Sequence, residues 1–110
     1  MPYDARPFAL VVRFTVRPGA EEEFDALVAE TAAGIRDHES GTLIYACHTV
    51  QGQPRQRIFY ELYRNRDAFE AHEQSAHTRR FLAKREALLE ATEVDFLAFA
   101  DGKTPMTAQA

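Results

Sequence analysis

The chain has 110 residues, the size of one domain, and 45% of them are hydrophobic, enough for a packed core. Thirteen basic against seventeen acidic residues give a net charge of −4, and no basic stripe of the kind a phosphate backbone requires is present, which excludes nucleic acid as the natural partner. The lone cysteine, Cys47, excludes an internal disulfide, and no apolar run approaches the roughly 20 residues of a membrane-spanning helix.

Taken in chain order, Met1–Pro7 lacks the apolar segment of a secretory signal, which with the single cysteine predicts a cytoplasmic protein. Over Phe8–Arg17, Val12, Phe14 and Val16 alternate with Arg13, Thr15 and Arg17, the period of a half-buried strand. Pro18-Gly19 stops it. Glu21, Glu22 and Glu23 then suit the positive end of a helix whose apolar positions include Phe24, Leu27, Val28 and Ile35, and which should reach about Asp37. Ser40-Gly41 closes that helix. A second strand is expected over Thr42–Val50, a hairpin loop over 51–55, and a third, aromatic strand over Gln56–Arg64. A short helix follows from Asp67 to about Glu73. Ser75 is placed to cap a longer helix over Ala76–Glu90, with Phe81, Leu82, Leu88 and Leu89 as its apolar stripe. Val94–Ala100 reads as the fourth strand and 101–110 as a loose polar tail.

The order βαββαβ is that of a ferredoxin-like α+β fold: one four-stranded antiparallel sheet with helices on one face, its core over about 8–100 of a single 1–110 domain. The uncovered face would then carry Val11, Ile44, Ile58, Tyr60, Leu62, Leu97 and Phe99, which is too apolar to leave in water. A second copy packed face to face would cover it, so a homodimer is expected.

The segment Tyr60–His77 reads YELYRxxxAFEAHxxSxH and sets His72 and His77 five residues apart across a helix break. This pattern, together with the RPG that ends the first strand and the ExGTLIY that enters the second, resembles the antibiotic biosynthesis monooxygenase superfamily over roughly residues 8–100. The resemblance implies a dimeric α+β barrel with a pocket between sheet and helices in each subunit. It also implies oxidation of an electron-rich quinol or anthrone by O₂ without a bound metal or flavin. Such chemistry needs an aromatic cavity and one or two bases, because a deprotonated phenol is reducing enough to give an electron to O₂ directly. Some members of the superfamily degrade haem with an asparagine, a tryptophan and a histidine. The matching positions here are Val12, His72 and Leu82, and the chain has no tryptophan, so that activity is rejected. Relatives that isomerise small phosphorylated sugars keep the same pair of histidines. An isomerase or tautomerase therefore stands as an alternative, as does a small-molecule-binding dimer without catalysis.

The candidate catalytic residues are His72, His77 and Glu61, and Phe14, Tyr45, Phe59, Tyr63 and Phe81 are the candidate lining of a substrate pocket. Each has a plainer explanation: helix docking for His72, helix capping for His77, core packing for Tyr63. Glu61 is a carboxylate in the middle of an aromatic strand, costly if buried without a partner. It is either paired with Arg13 or Arg57 at an edge, or a base with a raised pKa inside the pocket. His38 suits the negative end of the first helix, His48 a sheet or interface position, and Cys47 a small core site. One cysteine and four scattered histidines have no metal-site spacing.

Overall fold

The computed structural model describes residues 6–105. Its elements are β1 (Phe8–Val16), α1 (Glu21–His38), β2 (Thr42–Val50), β3 (Gln53–Tyr63), α2 (Arg66–Gln74), α3 (Ala76–Arg85), a 3-10 turn (Glu86–Leu88) and β4 (Leu89–Leu97). The four strands form one antiparallel sheet in the order β2-β3-β1-β4, the ferredoxin-like arrangement expected from the element order.

Local chemistry accounts for most boundaries. Gly19 ends β1 with φ +86°, a left-handed turn open to glycine. The acidic first turn and basic last turn of α1 match its dipole, and Phe24, Leu27, Thr31 and Ile35 form its buried stripe. Thr31 sits in that stripe because its hydroxyl donates to the Leu27 carbonyl at 2.8 Å. The Asn65 side chain accepts from the Ala68 N–H at 2.9 Å and so caps α2. Ser75 both ends α2 and caps α3, as its position suggests.

Three boundaries differ from expectation. The hairpin loop is only Gln51-Gly52, with Gly52 at φ +76°, so β3 starts at Gln53 rather than Gln56. The last helix stops at Arg85 instead of Glu90, and β4 begins at Leu89 instead of Val94. The physical reason is that Leu88 and Leu89 are both buried, and adjacent residues on an α-helix lie about 100° apart. A 3-10 turn passing straight into a strand buries both, and the Leu88 carbonyl is fixed by the Arg17 N–H at 2.9 Å. Of the expected tail, 101–105 contains no helix or strand and 106–110 lies outside the described residues.

The register assigns the two faces. On the helix side, Val12 lies between Phe59 and Val94, and Phe14 between Arg57 and Thr92. Phe14 is the hub of the core: its ring sits 4.8 Å from Phe59, 5.4 Å from Phe24 and 6.1 Å from Phe81. Each such edge-on pair contributes roughly 0.5–1.5 kcal/mol beyond its buried area. On the far side, Val11 pairs with Tyr60, Ile44 with Leu62, and Ala9 with Leu97. Phe99 falls beyond the end of β4 and is not part of the ladder. β4 is the edge strand least covered by the rest of the chain: Phe96 is 64% exposed and Leu97 40%.

Candidate active site

Between the sheet and the pair α2–α3 lies a cavity of about 190 Å³. Its floor is Val12, Phe14 and Phe59 from the sheet, and its wall includes Phe69, Phe81 and Leu82 from the helices. Tyr45, Glu61 and His72 face into it from one side, and Arg85 also lines it. A cavity of about 150 Å³ suffices for benzene, so this volume suits a molecule of one or two rings.

His72 is buried in α2, in ring contact with Tyr63 at 5.1 Å and Tyr45 at 5.7 Å. Its Nδ1 lies 2.9 Å from Glu39 Oε1. A carboxylate on that side requires Nδ1 to carry the proton, which leaves the Nε2 lone pair free. Nε2 is 4.0 Å from Glu61 Oε1. Burial lowers the His72 pKa below its ordinary value of 6.5, with the Glu39 charge opposing it. The ring is therefore neutral at physiological pH, with its basic nitrogen on the Glu61 side.

Glu39 holds this arrangement. It caps the C-terminus of α1, the negative end of the dipole, where a carboxylate is unfavourable unless cations or donors meet it. Four donors do. His72 binds one oxygen and His77 Nε2 makes a very short hydrogen bond to the other. Thr42 donates at 2.5 Å and Ser75 at 3.4 Å. Burial alone would raise its pKa, but the hydrogen bonds from Thr42, His77 and His72 outweigh it, and Glu39 is held below its ordinary value of 4.5. Gly34 makes room for this contact. A Cβ there would come within 2.6 Å of the His77 ring, and the glycine costs roughly 1 kcal/mol of helix propensity against alanine.

Glu61 is 6% exposed, and its one hydrogen-bond partner among the described residues is the Tyr63 hydroxyl, which donates at 2.6 Å. Neither expected edge partner reaches it: Arg13 lies on the opposite face and donates to Gln56, and Arg57 pairs with Asp25 at 2.8 Å. Burial pushes Glu61 up to about 7, against the lowering effect of the Tyr63 hydrogen bond. Burial and the Glu61 charge also raise both Tyr45 and Tyr63, so neither phenol ionises at neutral pH.

The structure thus brings His72, Glu61, Phe14, Tyr45, Phe59 and Phe81 to one cavity. Tyr63 and His77 do not line it. Tyr63 stands behind Glu61, and His77 buttresses Glu39 on the far side of the carboxylate instead of capping α3. Glu39 and Arg85 were not singled out by the sequence. An acid at a helix C-terminus is the one anomaly that signals Glu39. Arg85 carried no signal, being expected in mid-helix. His48 lies on the far face, 3.2 Å from the Ile58 carbonyl, and Cys47 is exposed.

The protein is thus a ferredoxin-like α+β domain whose sheet and helices enclose an aromatic cavity, with a histidine braced by a buried carboxylate at its side. The chain belongs to the antibiotic biosynthesis monooxygenase family, whose sequence model matches residues 7–84. Among solved structures it is similar to PA3566 from Pseudomonas aeruginosa, at 28% identity over 89% of this chain and 98% of that one, TM-score 0.81. It is also similar to Rv0793 from Mycobacterium tuberculosis, at 28% identity over 89% and 99%, TM-score 0.82. A Caulobacter crescentus protein described as a candidate antibiotic biosynthesis monooxygenase shares the fold at 21% identity over 91% and 95%, TM-score 0.83. No protein of curated function matches the chain. No helix among the described residues is long and apolar enough to cross a membrane.

Proposed function

We propose that the protein is a monooxygenase that oxidises a one- or two-ring quinol with O₂, drawing electrons from the substrate itself. The observation that carries this reading is the His72 imidazole, tied through Nδ1 to Glu39 and presenting Nε2 beside Glu61 in an aromatic cavity. His72 Nε2 takes the proton of a substrate hydroxyl. The resulting phenolate gives one electron to O₂, and superoxide and the aryloxyl radical combine into a ring peroxide anion. Glu61, whose proton burial holds to about 7, donates it to the distal peroxide oxygen. The ring C–H proton passes to the Glu61 carboxylate as the O–O bond breaks, and the departing hydroxide takes the proton held on His72 Nε2 and leaves as water. A ring C–H becomes a carbonyl or enol, so that quinol and O₂ give hydroxyquinone and water. The aromatic walls exclude bulk water from the peroxide.

Oxygen uptake by the metal-stripped protein over a panel of reduced quinols and anthrones is the direct test. Enzyme-dependent uptake is expected with the smaller quinols, and His72→Ala should lower it at least tenfold while the protein stays folded. Undiminished uptake in that variant would remove His72 from the mechanism. An isomerase of phosphorylated sugars is less well supported, since a phosphate site needs converging cations and Arg85 is the one arginine or lysine lining the cavity among the described residues.

We also propose that the working form is a homodimer. The apolar far face around Val11, Ile44, Ile58, Tyr60 and the half-exposed Leu97 is the surface a second copy would cover. Light scattering at micromolar concentration should give twice the chain mass. A monomer mass would overturn the assignment of that face.

A further inference from the structure

Arg85 ends α3 and contributes to the lining of the aromatic cavity. Its guanidinium carbon lies 5.6 Å from the centre of the Phe14 ring and 5.8 Å from that of Phe81. Unlike Arg55, Arg57, Arg66 and Arg80, each of which is held by a carboxylate, Arg85 makes no ion pair or hydrogen bond among the described residues. Glu61, Glu73 and Glu86 act on it through space without binding it. Guanidinium carries five donors in a planar fork, and placing it against two phenyl rings leaves those donors without partners from the protein. None of its nitrogens is sealed away from solvent. The fork is therefore accessible to a ligand.

The position of Arg85 relative to the acid–base pair gives the ligand a polarity. His72 touches Tyr45, Tyr63 and Phe69. Arg85 touches Phe14 and Phe81. The two sets share no ring, and Phe59 bridges them, with its centre 5.7 Å from Tyr45 and 4.8 Å from Phe14. A ring lying on Phe59 would meet His72 at one edge and Arg85 at another. We propose that Arg85 is the specificity determinant of this cavity, and that it selects substrates bearing a ring carboxylate, bound by the guanidinium fork while a ring hydroxyl faces His72. Carboxylate and guanidinium match in planar, two-point geometry, and the surrounding rings strengthen the pair by excluding water. The single charge of one arginine balances that of a carboxylate, whereas a phosphate monoester carries close to two.

This rests on the quinol reading for the choice of ring hydroxyls, but binding is separable from turnover. The experiment is anaerobic titration calorimetry with 2,5-dihydroxybenzoate and with its methyl ester, which has the same ring and hydroxyls but no charge. Wild type should bind the acid at least tenfold more tightly than the ester. Arg85→Gln should abolish that preference and leave ester affinity within twofold, and Arg85→Lys should retain part of it. Equal affinities for acid and ester, no detectable binding of the acid at millimolar concentration, or an unchanged preference in Arg85→Gln would each overturn the proposal. A preserved acid preference without oxygen uptake would refute the oxygenase reading and leave the role of Arg85 intact.

Discussion

Glu39→Gln should lower kcat/KM for quinol oxidation by about 100-fold or more while the protein remains folded. The carboxylate accepts from both imidazoles at once, His72 on one oxygen and His77 on the other. A glutamine offers one accepting oxygen and turns an amide NH₂ toward the second ring. That leaves His72 free to carry its proton on Nε2, the nitrogen that must act as base. In the carboxylate–histidine pairs of hydrolytic enzymes, the same neutral substitution costs up to about 10⁴ in turnover by stabilising the wrong tautomer. Steady-state kinetics give the size of the loss, and nitrogen NMR of the imidazoles reports the tautomer. Activity within twofold of wild type, with Nδ1 of His72 still protonated, would show that Glu39 does not set the base.

Glu61→Gln should have an effect on stability that depends on pH. Glu61 has a folded pKa of about 7 against an ordinary value of 4.5. The folded state therefore binds this proton more tightly than the unfolded chain does. The contribution to stability is complete below about pH 4.5 and is lost as pH rises through 7. A difference of this size corresponds to about 3 kcal/mol at full ionisation. Urea unfolding at pH 4.5 and pH 8 should show the variant gaining roughly that much on wild type between the two values, because glutamine has no proton to lose. A constant difference across the range would mean that Glu61 is not buried as an acid. The same substitution should slow the peroxide step, since the residue that donates the proton is gone.

The fold was legible wherever one pattern ruled a segment. The alternation of Val12, Phe14 and Val16 and the punctuation at Pro18-Gly19 and Ser40-Gly41 placed β1, α1 and β2 within a residue or two. Legibility failed where two patterns overlapped. Leu88-Leu89-Glu90-Ala91 has good helix formers, but the burial of both leucines and the pairing of Val16 with Leu89 forced a strand. In the site, Glu61 stood out because a carboxylate is out of place in an aromatic strand, and His72 because it sits in the pattern that resembles the family. Arg85 and Glu39 become meaningful only through tertiary neighbours. Arg85 takes its character from Phe14, some 70 positions earlier in the chain. The two histidine partners of Glu39 lie 33 and 38 positions away, a separation no local pattern encodes.

Those separations also bear on how the molecule assembles. One carboxylate ties the end of α1, α2 through His72 and the first turn of α3 through His77. Until all three segments arrive, Glu39 is an anion at the wrong end of a helix and His72 has no fixed tautomer, so no pairwise docking gains the full interaction. Closure of the helical layer is thereby cooperative, because any two of the three segments leave the carboxylate short of a partner. The arrangement of His72 proposed for catalysis is then complete only when the helical layer is closed, so the base of the proposed reaction is a property of the assembled layer and of no single helix.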